Sequence, residues 1–226
     1  MRAILLDLDG VLVISEPLVR KGWNKLARER GILLREEDFR TRILGRRTVD
    51  VLEDVFGLDR HAARSLVAEG IDDKSAELRD GAELPPVPGA VEFVRKAASS
   101  GLKIAVVTSA SAANAGLALR HIGLHELVGE LVDASSPRRG KPYPDPYREG
   151  CRRLGVAPGD AVGFEDSLAG VAAVKAAGVR CVALATSQPR AALVQADLVI
   201  DDFRGHSPKS IAAALEWPPS PAQPVE

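Results

Sequence analysis

Apolar residues in this chain fall into two kinds of segment, short unbroken runs and longer stretches at helical spacing. The first run, Ala3-Ile-Leu-Leu6, reads as a buried strand, and Gly10 closes it with a turn. From about Val87 the two kinds alternate. Helices are expected over 89–100, 112–122, 145–154, 168–177 and 190–194, and the strands that follow them over 103–108, 126–132, 161–164, 180–184 and 198–200. Gly123, Gly155 and Gly178 stand where a left-handed residue would stop a helix. Runs without polar alternation suit strands covered on both faces. The pattern therefore predicts an α/β fold with a parallel sheet wrapped by helices.

Between the first two strands lie roughly seventy residues of a different character. Leu18, Trp23 and Leu26 fall at helical spacing within 17–31, and 36–44, 49–56 and 61–78 continue as helical segments with no convincing strand. Residues 15–84 are expected to form an all-helical insert, with Pro85-Pro-Val-Pro88 as the return hinge. The main domain would then be 1–14 and 85–216, followed by a Pro-rich, disordered tail over 217–226.

Composition narrows the function classes. A formal charge of −1 offers no basic field for nucleic acid. No apolar run reaches a membrane span, and the first strand begins almost at Met1, so a cytoplasmic protein without a targeting segment is expected. Cys151 and Cys181 form no Cys-x-x-Cys pair and read as reduced packing residues. His121 and His125 lack a third nitrogen or sulfur ligand nearby, so zinc is not expected.

Ligands of such sheets bind beyond the carboxyl ends of the strands. Those ends carry Asp7 and Asp9, then Thr108 and Ser109, then Asp133, then Glu165 and Asp166. Strand alternation points Asp7 and Asp9 to the same side, an arrangement that is costly without a cation or a shared proton. Three or four converging carboxylates make a hard oxygen pocket of the kind that holds Mg2+. Thr108 and Ser109 can donate to an anion at a helix N-terminus, and Lys141, in a Pro-flanked loop, adds a positive charge. Taken singly, each has a plain reading: an N-cap, a solvated lysine, a capping cluster. All of them at strand ends together point to phosphoryl transfer with a carboxylate nucleophile.

At these positions the chain resembles the haloacid dehalogenase (HAD) superfamily, in the branch of β-phosphoglucomutase, phosphoglycolate phosphatase and small sugar phosphatases. Asp7-Leu-Asp-Gly-Val-Leu is similar to the first motif, Val106-Val-Thr-Ser to the second, Gly140-Lys-Pro-Tyr-Pro-Asp-Pro to the third and Gly163-Phe-Glu-Asp-Ser-Leu-Ala-Gly170 to the fourth. The resemblance implies a Rossmann-like core with a helical cap and a phosphatase acting on a small phosphorylated metabolite. It implies Asp7 as nucleophile and Asp9 as general acid and base. It further implies Mg2+ on the Asp7 carboxylate, the Asp9 carbonyl and Asp166 with Glu165 close by, and phosphoryl oxygens held by Thr108, Ser109 and Lys141.

Within the insert, Leu44-Gly-Arg-Arg-Thr-Val-Asp50 is similar to a Gly-x-Arg-Thr-x-Asp segment of the polyol and sugar phosphatases. Arg47 is thus the first candidate for a substrate contact and Arg46 the second, with Lys74 as a further one. Ile14 stands where many relatives carry an Asp, and residues 17–23 lack the His that mutases of the branch carry there. A phosphosugar mutase therefore ranks below a phosphatase. A non-catalytic phospho-ligand sensor is the alternative of another class. No nucleic-acid or membrane partner is expected, and a monomer suits the layout.

Overall fold

A computed structural model describes residues 1–71 and 83–217. Six parallel strands form one sheet in the order β3-β2-β1-β4-β5-β6. They are β1 (Ala3–Leu6), β2 (Lys103–Val107), β3 (Glu130–Val132), β4 (Ala161–Glu165), β5 (Arg180–Leu184) and β6 (Leu198–Ile200). β1 lies at the centre, with Ile4 paired to Ile104 on one side and to Val162 on the other. Chain order reverses there, which opens the crevice beyond the ends of β1, β2 and β4.

Each face of the sheet buries its own core. Ile4 and Leu6 face Phe93 of α5 (Ala90–Ser99), where Phe93, Phe164 and Phe203 meet at ring distances of 4.7 to 5.6 Å. Ala3 and Leu5 point the other way, toward Tyr147 and Cys151 of α7 (Asp145–Leu154) and Val171 and Val174 of α8 (Leu168–Ala176). Successive strand side chains alternate between faces, so one four-residue strand serves both layers. α6 (Ala112–His121) and α9 (Pro208–Ala214) complete the regular helices of this part.

The helical insert follows β1. It comprises α1 (Glu16–Glu29), α2 (Glu36–Asp38) running into a π-turn (Phe39–Ile43), α3 (Thr48–Asp54) and α4 (Arg60–Ala68). Leu26, Phe39, Val51, Leu52 and Ala63 give it a small core of its own, with Trp23 stacked on Phe56 at 5.5 Å. The return segment is more ordered than a bare proline hinge: Pro86 bridges Val13, and the Val87 N–H donates to the Leu12 carbonyl at 3.0 Å.

Several local expectations are corrected. The strand expected over 126–132 shortens to β3, because His125–Leu127 forms a 3-10 turn first. The helix expected over 190–194 is one 3-10 turn, Arg190–Ala192. The helix expected over 36–44 changes to π pitch at Phe39. Trp217, read with the tail, packs under the Arg180 guanidinium at 4.2 Å. The rest of that tail and Lys74 lie outside the described residues. No helix among the described residues is long and apolar enough to cross a membrane.

Candidate active site

Strand ends deliver the candidate chemistry to one edge of the sheet. Asp7 follows β1 directly, and its N–H donates to the Phe164 carbonyl at 3.0 Å, prolonging the β1–β4 ladder by one bond. Its carboxylate is buried. Lys141 arrives on the loop before α7. Its ammonium lies 2.9 Å from Asp7 Oδ1 and 2.6 Å from Glu165 Oε1, and it donates to the Val107 carbonyl at 3.2 Å. Burial alone would push this ammonium toward neutrality; Asp7 and Glu165 outweigh that and hold it above the ordinary lysine range.

Glu165 closes β4 and is completely buried. Besides Lys141, its Oε1 accepts from the Tyr147 hydroxyl at 2.6 Å, while Oε2 accepts from the Asp166 N–H at 3.1 Å and the Ser167 hydroxyl at 3.2 Å. α8 can press against it only because position 170 is glycine: a Cβ there would lie 1.9 Å from the Glu165 carboxyl carbon. The phenol of Tyr147 is raised well above its usual range by burial and by the Glu165 charge, so it stays protonated and donates.

Asp7, Glu165 and Asp166 each offer an oxygen, all within 4.8 Å of one another. One lysine against three buried carboxylates leaves two negative charges unbalanced. Burial first, then Glu165 and Asp9, push the Asp7 carboxyl up to about 7, against the pull of Lys141. Burial and the Glu165 and Asp7 charges push Asp166 well above its ordinary value. A divalent cation with a preference for oxygen would relieve the repulsion, so the donor set fits one. Gly10 shapes the same cradle: a Cβ at this position would stand 1.8 Å from Asp166 Oδ2.

Asp9 sits just outside this cluster, partly exposed, and accepts from the Ser15 hydroxyl. Strand β1 ends before it, so its placement comes from the turn after Asp7 rather than from strand alternation. Asp133 does not join the acids. It accepts from the N–H and hydroxyl groups of Ser135 and Ser136 at 2.8 to 3.1 Å and caps its own loop.

A cavity of about 170 Å³ lies between the helical insert and the sheet edge. Asp7, Asp9, Asp166, Ser109 and Arg46 line it, whereas Thr108, Lys141 and Glu165 stand behind that lining. Thr108 Oγ1 accepts from the Ala110 N–H at 3.0 Å, and the Ser109 hydroxyl donates to the Gly45 carbonyl at 2.8 Å. Arg47 is buried away from the cavity, forked onto Asp50 at 2.7 and 3.0 Å, with a longer bond of 3.4 Å to the Pro137 carbonyl. Arg46 does reach the cavity. Its Nη1 pairs with Asp54 at 2.6 Å, and its buried Nε meets no acceptor among the described residues.

Some contributors escaped the sequence reading. Tyr147 stands in no motif; the one signal is its hydroxyl, since a buried tyrosine needs a polar partner. Ser15, Thr186, Ser187 and Gln188 carried no motif. Thr186 donates to the Gly10 carbonyl at 2.6 Å and Ser187 to the Asp166 carbonyl at 2.9 Å.

The family model of haloacid dehalogenase-like hydrolases matches residues 1–178. The chain belongs to that family. Its curated relatives include the validoxylamine A 7'-phosphate phosphatase of Streptomyces hygroscopicus subsp. limoneus, 34% identical over 208 residues and covering 89% of this chain and 94% of the relative. They also include hexitol phosphatase A of Escherichia coli, 32% identical and covering 88% of this chain and 90% of the other. Among solved structures, CbbY of Rhodobacter sphaeroides in complex with phosphate superposes with a TM-score of 0.78 at 26% identity, covering 96% of this chain and 99% of that one. In this member of the family, the apolar side of the cavity, from Leu18, Trp23 and Ile43, belongs to the insert that follows β1.

Proposed function

We propose that this HAD hydrolase is a phosphatase that hydrolyses a small phosphorylated metabolite, a sugar, polyol or organic-acid phosphate, through an aspartyl-phosphate on Asp7. The observation that carries the reading is the Asp7 carboxylate itself, set 2.9 Å from the Lys141 ammonium with Asp9 beside it in the cavity lining. In the first step an Asp7 oxygen attacks phosphorus, the ester P–O bond breaks and Asp9 gives its proton to the departing alkoxide. In the second, Asp9 takes a proton from water, whose oxygen attacks the same phosphorus and returns Asp7 as a carboxylate. Lys141, Thr108 and Ser109 would hold phosphoryl oxygens; Arg46, which lines the cavity, would serve the leaving group in place of Arg47, the first candidate from sequence, whose guanidinium is taken up by Asp50. Asp7, Asp166 and the Asp9 carbonyl, with Glu165 nearby, would hold Mg2+, which supplies charge neutralisation on the phosphoryl oxygens.

The names of the relatives, two of them phosphatases of phosphorylated small molecules, support this substrate class. In the same reading residues 15–84 are a cap over a core of 1–14 and 85–216, and the protein is a cytoplasmic monomer without a nucleic-acid or membrane partner. A mutase ranks second, since Val19 and not a histidine lines the cavity from the early part of α1. The test is phosphate release from p-nitrophenyl phosphate and a panel of metabolite phosphates with Mg2+. Turnover that is abolished in a folded Asp7→Asn protein is the expected result. No release from any ester, or full activity in that variant, would sink the proposal.

A further inference from the structure

The insert is fastened to the sheet edge by a residue outside every family motif. Gln188, in the loop after β5, is 3% exposed, and both ends of its amide are used on one partner. Its Oε1 accepts from Arg40 Nε at 3.0 Å, and its Nε2 donates to the Arg40 backbone carbonyl at 3.1 Å. That carbonyl is available because of the π-turn. Over Phe39–Ile43 the ladder slips to i→i+5, and the Leu44 N–H donates to the Phe39 carbonyl at 3.0 Å. In an α-helix the same N–H would take the carbonyl of Arg40. The irregular turn thus exposes one backbone acceptor, and a buried amide fills it.

Gln188 also continues a segment that holds the site. Thr186 and Ser187, the two residues before it, bond the carbonyls of Gly10 and Asp166. Three consecutive side chains therefore tie the turn after Asp9, the peptide of Asp166 and the insert to one short loop. Other polar fastenings of the insert to the core among the described residues, such as Ser109 on Gly45, Arg47 on Pro137 and Ser15 on Asp9, do not involve this loop.

We propose that Gln188 is a positioning residue: it latches the helical cap in its closed position, so that closing the cap and aligning the Asp9 turn with Asp166 are coupled. This rests on the reading of the insert as a cap over a phosphatase site. A latch of this kind sets the population of the closed form, and the apparent affinity falls by the fraction no longer closed. The Gln188→Ala protein should then show a KM raised about tenfold with kcat changed less than about threefold for the best ester of the panel. A merely structural loss would lower thermal stability and leave KM in place.

Two further measurements keep the test decisive. Hydrogen exchange at amides of residues 36–45 should quicken at least about fivefold in Gln188→Ala while β1, β2 and β4 keep their protection. Arg40→Met removes the Nε donor but keeps the carbonyl, so adding Gln188→Ala to it should cost less than Gln188→Ala costs alone. Unchanged exchange over 36–45, a KM within twofold of the parent, or effects that multiply independently would each overturn the latch. The exchange arm reads the latch even if no ester is hydrolysed, an outcome that would count against the phosphatase reading instead.

Discussion

Lys141 and Glu165 face each other at 2.6 Å in a space where solvent reaches neither side chain. Glu165 thereby aims the ammonium that also meets Asp7. The Glu165→Gln protein keeps the shape and an acceptor for Tyr147 but leaves Lys141 with a single carboxylate. Removing one member of a buried pair costs about 3 kcal/mol. Urea unfolding should show a loss of that order, with kcat lowered at least about tenfold because the lysine is no longer held. An unchanged unfolding midpoint would show that Lys141 does not depend on Glu165.

In the proposed function Asp7 would link metal binding to pH. Its carboxyl is pushed up to about 7 in the folded protein from an ordinary value of 3.8. Between those values the folded state holds a proton that the unfolded chain has released. Its contribution is therefore complete below pH 3.8 and is lost as pH rises through about 7. Asp166, raised for the same reason, acts in the same direction. Without metal, stability should decline over that window. Added Mg2+ competes with the protons, so it should raise the melting temperature more at pH 8 than at pH 5. At a hundredfold excess over its dissociation constant the gain is about 2.7 kcal/mol. Scanning calorimetry at both pH values, with and without Mg2+, checks the sign; equal shifts would contradict it.

Gly10→Ala attacks the cradle by geometry alone. The new methyl would meet Asp166 Oδ2 at 1.8 Å, and the position has φ +76, which disfavours any side chain. The Asp166 carboxylate must leave its place in the cluster. We expect Mg2+ affinity, measured by calorimetric titration, to fall at least about tenfold, with roughly 1–2 kcal/mol lost from folding. Parent-like affinity would mean that Asp166 is not needed where it stands.

Tyr147→Phe removes the hydroxyl that donates to Glu165 at 2.6 Å and leaves the ring in place. A hydrogen bond to a buried charge is worth about 1.5–3 kcal/mol, and thermal unfolding should register a loss in that range. Since Lys141 shares the same oxygen, kcat should fall as well, though less than in Glu165→Gln. A variant as stable as its parent would assign the hydroxyl no part in holding the carboxylate.

The alternation of apolar runs and spaced stretches was enough to define the parallel sheet and the helical insert, because strand and helix periods are local properties of the chain. Motif spacing likewise placed Asp7, Glu165 and Asp166 at strand ends, where a parallel sheet must bring them together, and Lys141 in a Pro-flanked loop before a helix. Pitch and pairing were less legible. The π-turn at Phe39 and the short β3 follow from what packs against them, which no window of sequence contains. Which arginine faces the cavity was decided in space: neighbours in sequence, Arg46 lines it, while Arg47 folds back onto Asp50. Tyr147, Ser187 and Gln188 act on residues far along the chain, at separations of 18, 21 and 148 positions. Side-chain hydrogen bonds of that kind leave no period behind them, so only the tertiary structure assigns their partners.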